Sequence, residues 1–180
     1  MIADINLYLL FLECHRRFRY EGGNLIYRIK PANRIKAGEV SGCLNGDGYL
    51  QVKIKTKAYA VHRLIFLMHH GCLPGEVDHI DTNKLNNHIE NLRPATHAEN
   101  KHNEGIRKNN TSGVKGVSWN KDAKKWHARC CVNGKEYYIG SFGALSEAEQ
   151  MIRSFRRQHH GSFANHGDPS KTPQSMRTPS

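Results

Sequence analysis

The sequence predicts an α+β chain built from two small units. Three observations carry this reading. Apolar residues alternate with polar ones over 49–60 and again over 126–132, the period of a strand with one covered face. Apolar residues recur at helical spacing over 61–68 and 145–155. Between these patterns lies a polar stretch, Asn109-Asn110-Thr111-Ser112-Gly113, with no apolar residue, which separates the units. A chain of 180 residues holds one domain or two small ones.

Residues 1–60 read as short strands punctuated by turns at Gly22-Gly23-Asn24 and Asn45-Gly46-Asp47-Gly48. Tyr49 to Ala60 reads as a strand. Val61 to His70 follows as a helix with apolar residues at 61, 64, 65, 67 and 68, stopped by Gly71 and Pro74. Gly75 to Asp81 brings a short strand to Asp78 and His79, and 83–91 is a loop dense in Asn. Asn91-Leu92-Arg93-Pro94 is a second strand. Thr96 then caps a helix, with Glu99 completing a capping box.

Beyond the polar stretch, Val114 to Trp119 suits a strand. Trp126, Ala128, Cys130 and Val132 alternate with His127, Arg129 and Cys131. Asn133-Gly134 is a two-residue hairpin turn, and Glu136 to Ile139 is the returning strand, ended by Gly140. Leu145 to His159 has helical spacing, with a capping box read at Ser146–Glu149. From His166 onward the chain is rich in Pro, Ser and Thr and is expected to be disordered. The expected division is a first domain over 1–106 with its core at 61–103, a linker at 107–112, a second domain over 113–164 and a disordered tail over 165–180.

The net charge of +11 points to a polyanionic partner, because Lys and Arg gain affinity by displacing counterions from phosphates. Five cysteines, an odd number with no Cys-x-x-Cys pair, argue against a disulfide framework and a four-cysteine zinc site. The apolar run Leu7 to Leu12 follows acidic Asp4 and is too short for a signal peptide or a membrane span. The expectation is a soluble, non-secreted protein of a reducing compartment.

The segment 78–100 carries the chemistry. It offers a carboxylate at Asp78, an imidazole at His79, an amide at Asn91 and a second amide at Asn100, on a strand, loop, strand, helix layout. In-line attack on a phosphodiester builds charge on the phosphoryl oxygens and the leaving 3′ oxygen. A divalent cation held by Asp78 and Asn100, with positions left for phosphate and water, neutralises that charge. A histidine with a reference pKa near 6.5 is neutral near pH 7 and suits the base. The competing reading of Asp78-His79 is an ordinary strand end with His79 bonded to backbone. His97 is the alternative ligand, and His62 is read as packing or touching phosphate.

Val61-His62-Arg63-Leu64, Val77-Asp78-His79-Ile80-Asp81, Asn86-Asn87, Glu90-Asn91-Leu92-Arg93 and Thr96-His97-Ala98-Glu99-Asn100 stand in the order and spacing of a known family. From about Phe18 to Asn103 the chain resembles phage-type HNH homing endonucleases with the ββα-metal (His-Me finger) fold. The resemblance implies that His79 is the general base and that Asp78 and Asn100 are the metal ligands. It implies that Asn91 pins the loop and orients His79. Asn100 stands where the family's final His is usual, a departure shared by a subgroup. An amide oxygen is a harder ligand than imidazole, which favours one Mg²⁺ or Mn²⁺ per active site over Zn²⁺. Arg63 and Arg93 are the candidate phosphate contacts of this segment.

Gly113-Val114-Lys115-Gly116-Val117, Lys125-Trp126-His127-Ala128, Tyr137-Tyr138-Ile139-Gly140-Ser141-Phe142 and Ser146-Glu147-Ala148-Glu149 resemble an AP2-type DNA-binding domain, a three-stranded antiparallel sheet on one helix. That resemblance implies that Lys115, Ser118, Trp119, Arg129 and Tyr138 face DNA. Ser118 and Tyr138 stand where Arg and Trp are usual, so base preference does not transfer. A basic open face with Lys115, Lys121, Lys125 and Arg129 suits a groove, whereas Arg153, Arg156 and Arg157 suit a solvated face or phosphate contacts.

The joint expectation is a metal-dependent DNA endonuclease that nicks or breaks duplex DNA. It is expected to act as a monomer or weak dimer, to have no membrane partner, and to work in the cytoplasm of a host cell if phage-encoded. Two alternatives stand beside it. One is a non-catalytic, sequence-specific DNA-binding protein on a degenerate HNH scaffold. The other is an RNA-binding or RNA-cutting protein, disfavoured by the lack of exposed aromatic runs suited to splayed bases.

Overall fold

The computed structural model describes residues 5–32 and 34–168. The chain divides into two compact units, one ending at Pro94 and the other beginning at Ala95.

The first unit opens with a helix, α1 (Ile5–Arg17), where the sequence reading expected only strands over 1–60. The stretch is apolar on both sides, so no single amphipathic stripe announces it. Leu10 and Cys14 turn to the core, while Ile5, Leu9 and Leu12 stay exposed. His15, Arg16 and Arg17 close the helix, where cations suit its negative end. The hairpin β1 (Phe18–Glu21) and β2 (Asn24–Tyr27) follows, turning at Gly22-Gly23 with both glycines at positive φ.

Next comes an antiparallel sheet in the order β3-β4-β5, made of Cys43–Leu44, Leu50–Ile54 and Lys57–Ala60. The alternation over 49–60 is therefore a hairpin and not one strand. Its turn at Lys55-Thr56 carries no Gly, Asn or Pro, and Lys55 takes φ 55°. The turn before β4 forms as read, since Asn45 Oδ1 accepts from Asp47 N at 3.0 Å and Tyr49 N at 2.9 Å.

Helix α2 (Val61–His70) buries Val61, His62, Leu64, Ile65, Phe66 and Leu67 and stops at Gly71, whose φ of 65° is the left-handed cap. Val52, Ile54, Leu64, Ile65, Val77 and Leu92 meet Phe18 and Leu25 in this unit's core. Strands β6 (Glu76–His79) and β7 (Leu92–Ala95) pair as a two-stranded sheet, with a 3₁₀ turn, Ile89–Asn91, just before β7.

The second unit begins with α3 (His97–Asn103), capped by Thr96 and Glu99 in a complete capping box. The sequence reading grouped this helix with the first domain. Its contacts draw it into the second: Asn103 O accepts from Asn165 Nδ2 at 2.7 Å, and the His102 ring stacks on His160 at 3.7 Å. Antiparallel strands β8 (Val117–Asn120), β9 (Lys125–Val132) and β10 (Lys135–Phe142) lie in the order β10-β9-β8, with helix α4 (Leu145–His160) packed on one face. Val117, Ala128, Cys130, Ala148 and Ile152 form the core, flanked by Trp126, Phe142 and Phe155.

Several local readings are corrected here. Residues 114–116 are a turn and not strand. Strand β10 continues through Gly140 to Phe142, with a register shift between Tyr138 and Gly140 that inserts Ile139 as a bulge. Helix α4 starts at Leu145 after Ala144, with no side-chain cap, so Ser146 lies inside the first turn and forms no capping box. The polar stretch at 109–113 is tied down: Asn110 Nδ2 donates to Val114 O at 3.0 Å and Ser112 Oγ to Val117 O at 2.7 Å. Of the expected disordered tail, 169–180 lie outside the described residues. Asp168 pairs with Arg153 at 2.6 Å, and Asn165 is bonded to α3 as noted. No helix among the described residues is long and apolar enough to cross a membrane.

Two expectations follow for this unit. Gly116 has φ +72°, and a Cβ there would meet Arg129 O at 2.5 Å and Ile152 Cδ1 at 2.8 Å, whereas at Gly113 (φ +73°) it meets nothing within 4 Å. Gly116→Ala should destabilise by about 2–3 kcal/mol and Gly113→Ala by about 1 kcal/mol, compared by urea denaturation. His160, buried and stacked on His102, has its pKa lowered to about 4 by desolvation first and His102 second, with Lys115 and Arg156 adding to the effect. The folded ring holds a proton less tightly than the unfolded one. The unfolded chain therefore binds more protons between about pH 4 and 6.5, and stability should fall as pH is lowered through that window. His160→Gln should flatten the slope of urea midpoint against pH.

Candidate active site

Strand β6 ends with two chemically different side chains. Asp78 and His79 are both buried, with relative exposures of 5% and 4%. Neighbours on a strand point to opposite sides, and their partners differ accordingly. Asp78 Oδ2 receives Arg93 from β7, with Nε at 2.8 Å and Nη2 at 2.8 Å. A carboxylate this deep requires a compensating charge, and the guanidinium supplies it. Arg93 is thus engaged inside the unit, in an ion pair with Asp78.

His79 lies against other rings. Its centroid is 4.8 Å from His62 and 6.0 Å from Tyr49, and Tyr49 is 5.1 Å from His62. His79 Nε2 bonds Asn87 Oδ1 at 2.9 Å. Burial lowers the pKa of His79, opposed by the Asn87 bond and by the charges of Asp81 and Asp78. Burial takes His62 down to about 3, with His79 as the second cause. Both rings are therefore neutral near pH 7.

The loop joining β6 and β7 is folded back by a polar clamp. Asn91 Nδ2 donates to Asp81 Oδ1 at 2.9 Å and to Asn86 O at 2.8 Å, and Asn91 Oδ1 accepts from Asp81 N at 3.1 Å. Asn86 Nδ2 adds a bond to Asp81 Oδ2 at 2.7 Å. Asn91 thus ties Asp81 to Asn86 within the loop. It does not bond the His79 ring, however; the side chain that does is Asn87. Sequence reasoning quoted Asn87 only inside a motif and gave it no role. Its signal was weak, because Asn83, Asn86, Asn87 and Asn91 crowd one loop and nothing in their spacing ranks them.

Arg63, the other expected phosphate contact of this segment, is also turned to structural use. Its Nη1 donates to Gly75 O at 2.9 Å and its Nη2 to Pro74 O at 3.1 Å, fastening α2 to the approach of β6. Lys84 is exposed, with Nζ 2.9 Å from Asp47 O and 4.5 Å from the Tyr49 ring centroid. Asn100 lies on α3 of the second unit, with N bonded to Thr96 O at 3.0 Å. Among the described residues no group of three or more His, Cys, Asp or Glu is arranged to hold a metal ion.

On the sheet of the second unit, strand register sorts the five expected DNA contacts. Val117 pairs with buried Ala128, so Ser118, His127 and Arg129 face away from α4, as does Tyr138, the partner of Arg129. Ser118, Arg129 and Tyr138 are exposed there, with Glu136 3.7 Å from Arg129. Trp119 does not share that face. It pairs with Trp126, ring centroids 5.0 Å apart, on the side that carries the core. Lys115 is turned inward, its Nζ donating to His102 O at 2.9 Å and to Glu104 O, and burial lowers its pKa to about 8. Arg156, read as surface, is 1% exposed and donates to Lys115 O.

Residues 59–102 match the family model of the HNH endonuclease. The chain is 41% identical over 88 residues to Protein 3.8 of Escherichia phage T7, a match spanning 49% of this chain and 72% of that protein. The chain belongs to the HNH endonuclease family. It is also 35% identical over 107 residues to an uncharacterized HNH endonuclease of Acanthamoeba polyphaga mimivirus, spanning 58% of this chain and 54% of that protein, about half its length. No solved structure matches the chain at a significant level. The HNH match takes in His62, Asp78, His79, Asn87, Asn91 and Asn100, and leaves the three-stranded sheet outside it.

The Asp78–Arg93 pair yields a stability expectation. Arg93→Ala removes the guanidinium beside a buried carboxylate and should cost about 3 kcal/mol. Asp78→Asn in the same chain should restore part of that loss. Urea unfolding of the single and double variants measures both.

Proposed function

We propose that this chain is a metal-dependent endonuclease that hydrolyses phosphodiester bonds of duplex DNA, with His79 as general base. The observation that carries the reading is the buried, neutral His79 beside the carboxylate of Asp78, inside a segment that matches HNH endonucleases. A base must be unprotonated at working pH and fixed in direction. Burial supports the first requirement, and the Asn87 bond supports the second.

Asp78 and Asn100 are the residues assigned to one divalent cation, Mg²⁺ or Mn²⁺, through a carboxylate and an amide oxygen. When bound, such an ion neutralises charge growing on the phosphoryl and leaving oxygens. The chain's own residues do the rest. His79 takes a proton from water, whose oxygen bonds phosphorus as the bond from phosphorus to the 3′ oxygen breaks. The leaving oxygen takes a proton from solvent, giving a 3′ hydroxyl and a 5′ phosphate. Asp78 also favours the imidazolium that forms as the proton arrives.

The second unit is proposed to bind duplex DNA as an AP2-like module. The face of its sheet turned away from α4, bearing Ser118, His127, Arg129 and Tyr138 with Lys125 beside them, supports that reading. An antiparallel sheet needs only one covered face, and the net charge of +11 suits a phosphate-lined partner. Tethering raises the local concentration of each unit at its site.

A supercoiled plasmid assay decides the catalytic reading. Relaxed or linear product should appear with Mg²⁺ or Mn²⁺ and not with EDTA. His79→Ala, Asp78→Ala and Asn100→Ala should each lower the rate by at least about 10²-fold. Duplex binding without any cleavage would leave a passive DNA-binding protein, and cleavage that persists in His79→Ala would remove the base assignment.

A further inference from the structure

We infer that Asn87 is a positioning residue that fixes the tautomer and direction of the His79 ring, and that the β1–β2 turn holds Asn87 in place. The inference rests on His79 acting as the base, as proposed above. Asn87 is 1% exposed, and its Oδ1 lies 2.9 Å from His79 Nε2. An amide oxygen only accepts, so Nε2 carries the proton of the neutral ring and Nδ1 keeps the lone pair. Nδ1 is then the nitrogen that receives the proton of the attacking water.

The other end of the Asn87 amide adds nothing that offsets its burial. Its Nδ2 is buried and has no hydrogen-bond partner among the described residues. A buried donor left unsatisfied destabilises a fold, and an apolar side chain of the same size removes that penalty. Leucine at this position removes that penalty but leaves His79 Nε2 without its acceptor, so its two effects on stability oppose one another. What leucine lacks is the oxygen that His79 meets.

The loop bearing Asn87 is braced from the β1–β2 hairpin, an element far from it in sequence. Gly23 is buried at φ +84°, and a Cβ there would meet His88 N at 3.1 Å and the Asn87 carbonyl carbon at 3.3 Å. The turn backbone therefore lies directly against 87–88. Two residues before that turn, Tyr20 Oη accepts from Ile89 N at 3.1 Å. On the other side, Asn86 is tied to Asp81. The backbone at 86–89 is held from both sides, and a misplacement of about 1 Å at a reacting group can cost about 10²-fold in rate.

The test compares Asn87→Leu, Asn87→Asp and wild type in the full chain. Asn87→Leu should lower kcat on plasmid DNA by about 10²-fold, with KM and duplex affinity in EDTA unchanged and the melting temperature moved little, because loss of the unpaired Nδ2 offsets loss of the acceptor for His79 Nε2. Asn87→Asp, which keeps an acceptor oxygen at the same reach, should recover most of that loss. Imidazole ¹⁵N–¹H correlation spectra near neutral pH should show His79 protonated at Nε2 in wild type and a mixture of tautomers in Asn87→Leu. Gly23→Ala should move kcat and the tautomer ratio in the same direction with duplex affinity preserved. An Asn87→Leu chain with wild-type kcat and an unchanged tautomer overturns the inference. So does one in which both variants lose melting temperature, KM and kcat together, the mark of a merely structural residue. A wild-type chain that cuts no DNA, yet whose His79 tautomer responds to Asn87→Leu, removes the hydrolytic reading and leaves the positioning standing.

Discussion

The clamp centred on Asn91 is the constraint on which the first unit's polar interior depends. Two short strands alone would leave the residues between them, 80–91, as a loose excursion. Three bonds from one amide, to Asp81 Oδ1, Asp81 N and Asn86 O, fold that excursion onto itself. Asn91 is 1% exposed and every polar atom of its side chain has a partner there. A buried, fully satisfied amide is stiff, because breaking any one bond leaves a buried group unpaired. The stiffness carries to Asn86 and hence to Asn87. On the positioning inferred above, this chain of short-range bonds ends at the His79 ring through Asn87 Oδ1.

The parts of this protein that were legible in the sequence are those with a local signal. Gly71 marks the end of α2, Thr96 and Glu99 mark the start of α3, and Asn133-Gly134 marks the turn between β9 and β10. Each works within a few residues, through a left-handed φ or a side-chain cap. Helix α1 gave no such signal, since Ile5, Leu9 and Leu12 are apolar and exposed while Leu10 and Cys14 are apolar and packed. The turn at Lys55-Thr56 was also invisible, because lysine is an unusual residue at φ 55°. Asp78, His79, Asn91 and Asn100 could be nominated from order and spacing. Which asparagine would meet which partner could not, because that depends on how the loop folds back.

Charge composition and charge placement are separate properties here. The net charge of +11 describes the whole chain, but several cations nominated from it are turned inward. Arg63 fastens a carbonyl pair, Arg93 balances Asp78, and Lys115 and Arg156 hold the loop before β8 to helices α3 and α4. Arginine suits these tasks because its planar fork satisfies several acceptors at once and its charge survives burial. The cations left outward are largely lysines, Lys53, Lys55, Lys121 and Lys125 among them. Such side chains add affinity for phosphates without reading bases.

The pairing of Asp78 with Arg93 bears on how this carboxylate could also serve a cation. A guanidinium on a metal-binding carboxylate can look like a competitor. Yet Nε and Nη2 of Arg93 both address Oδ2, and an ionised carboxylate offers about four lone-pair sites over its two oxygens. Arg93 therefore occupies part of the acceptor capacity of Asp78 and fixes the plane of the carboxylate. The carboxylate is thereby oriented before a cation arrives, as a ligand group must be if binding is not to carry the cost of ordering it.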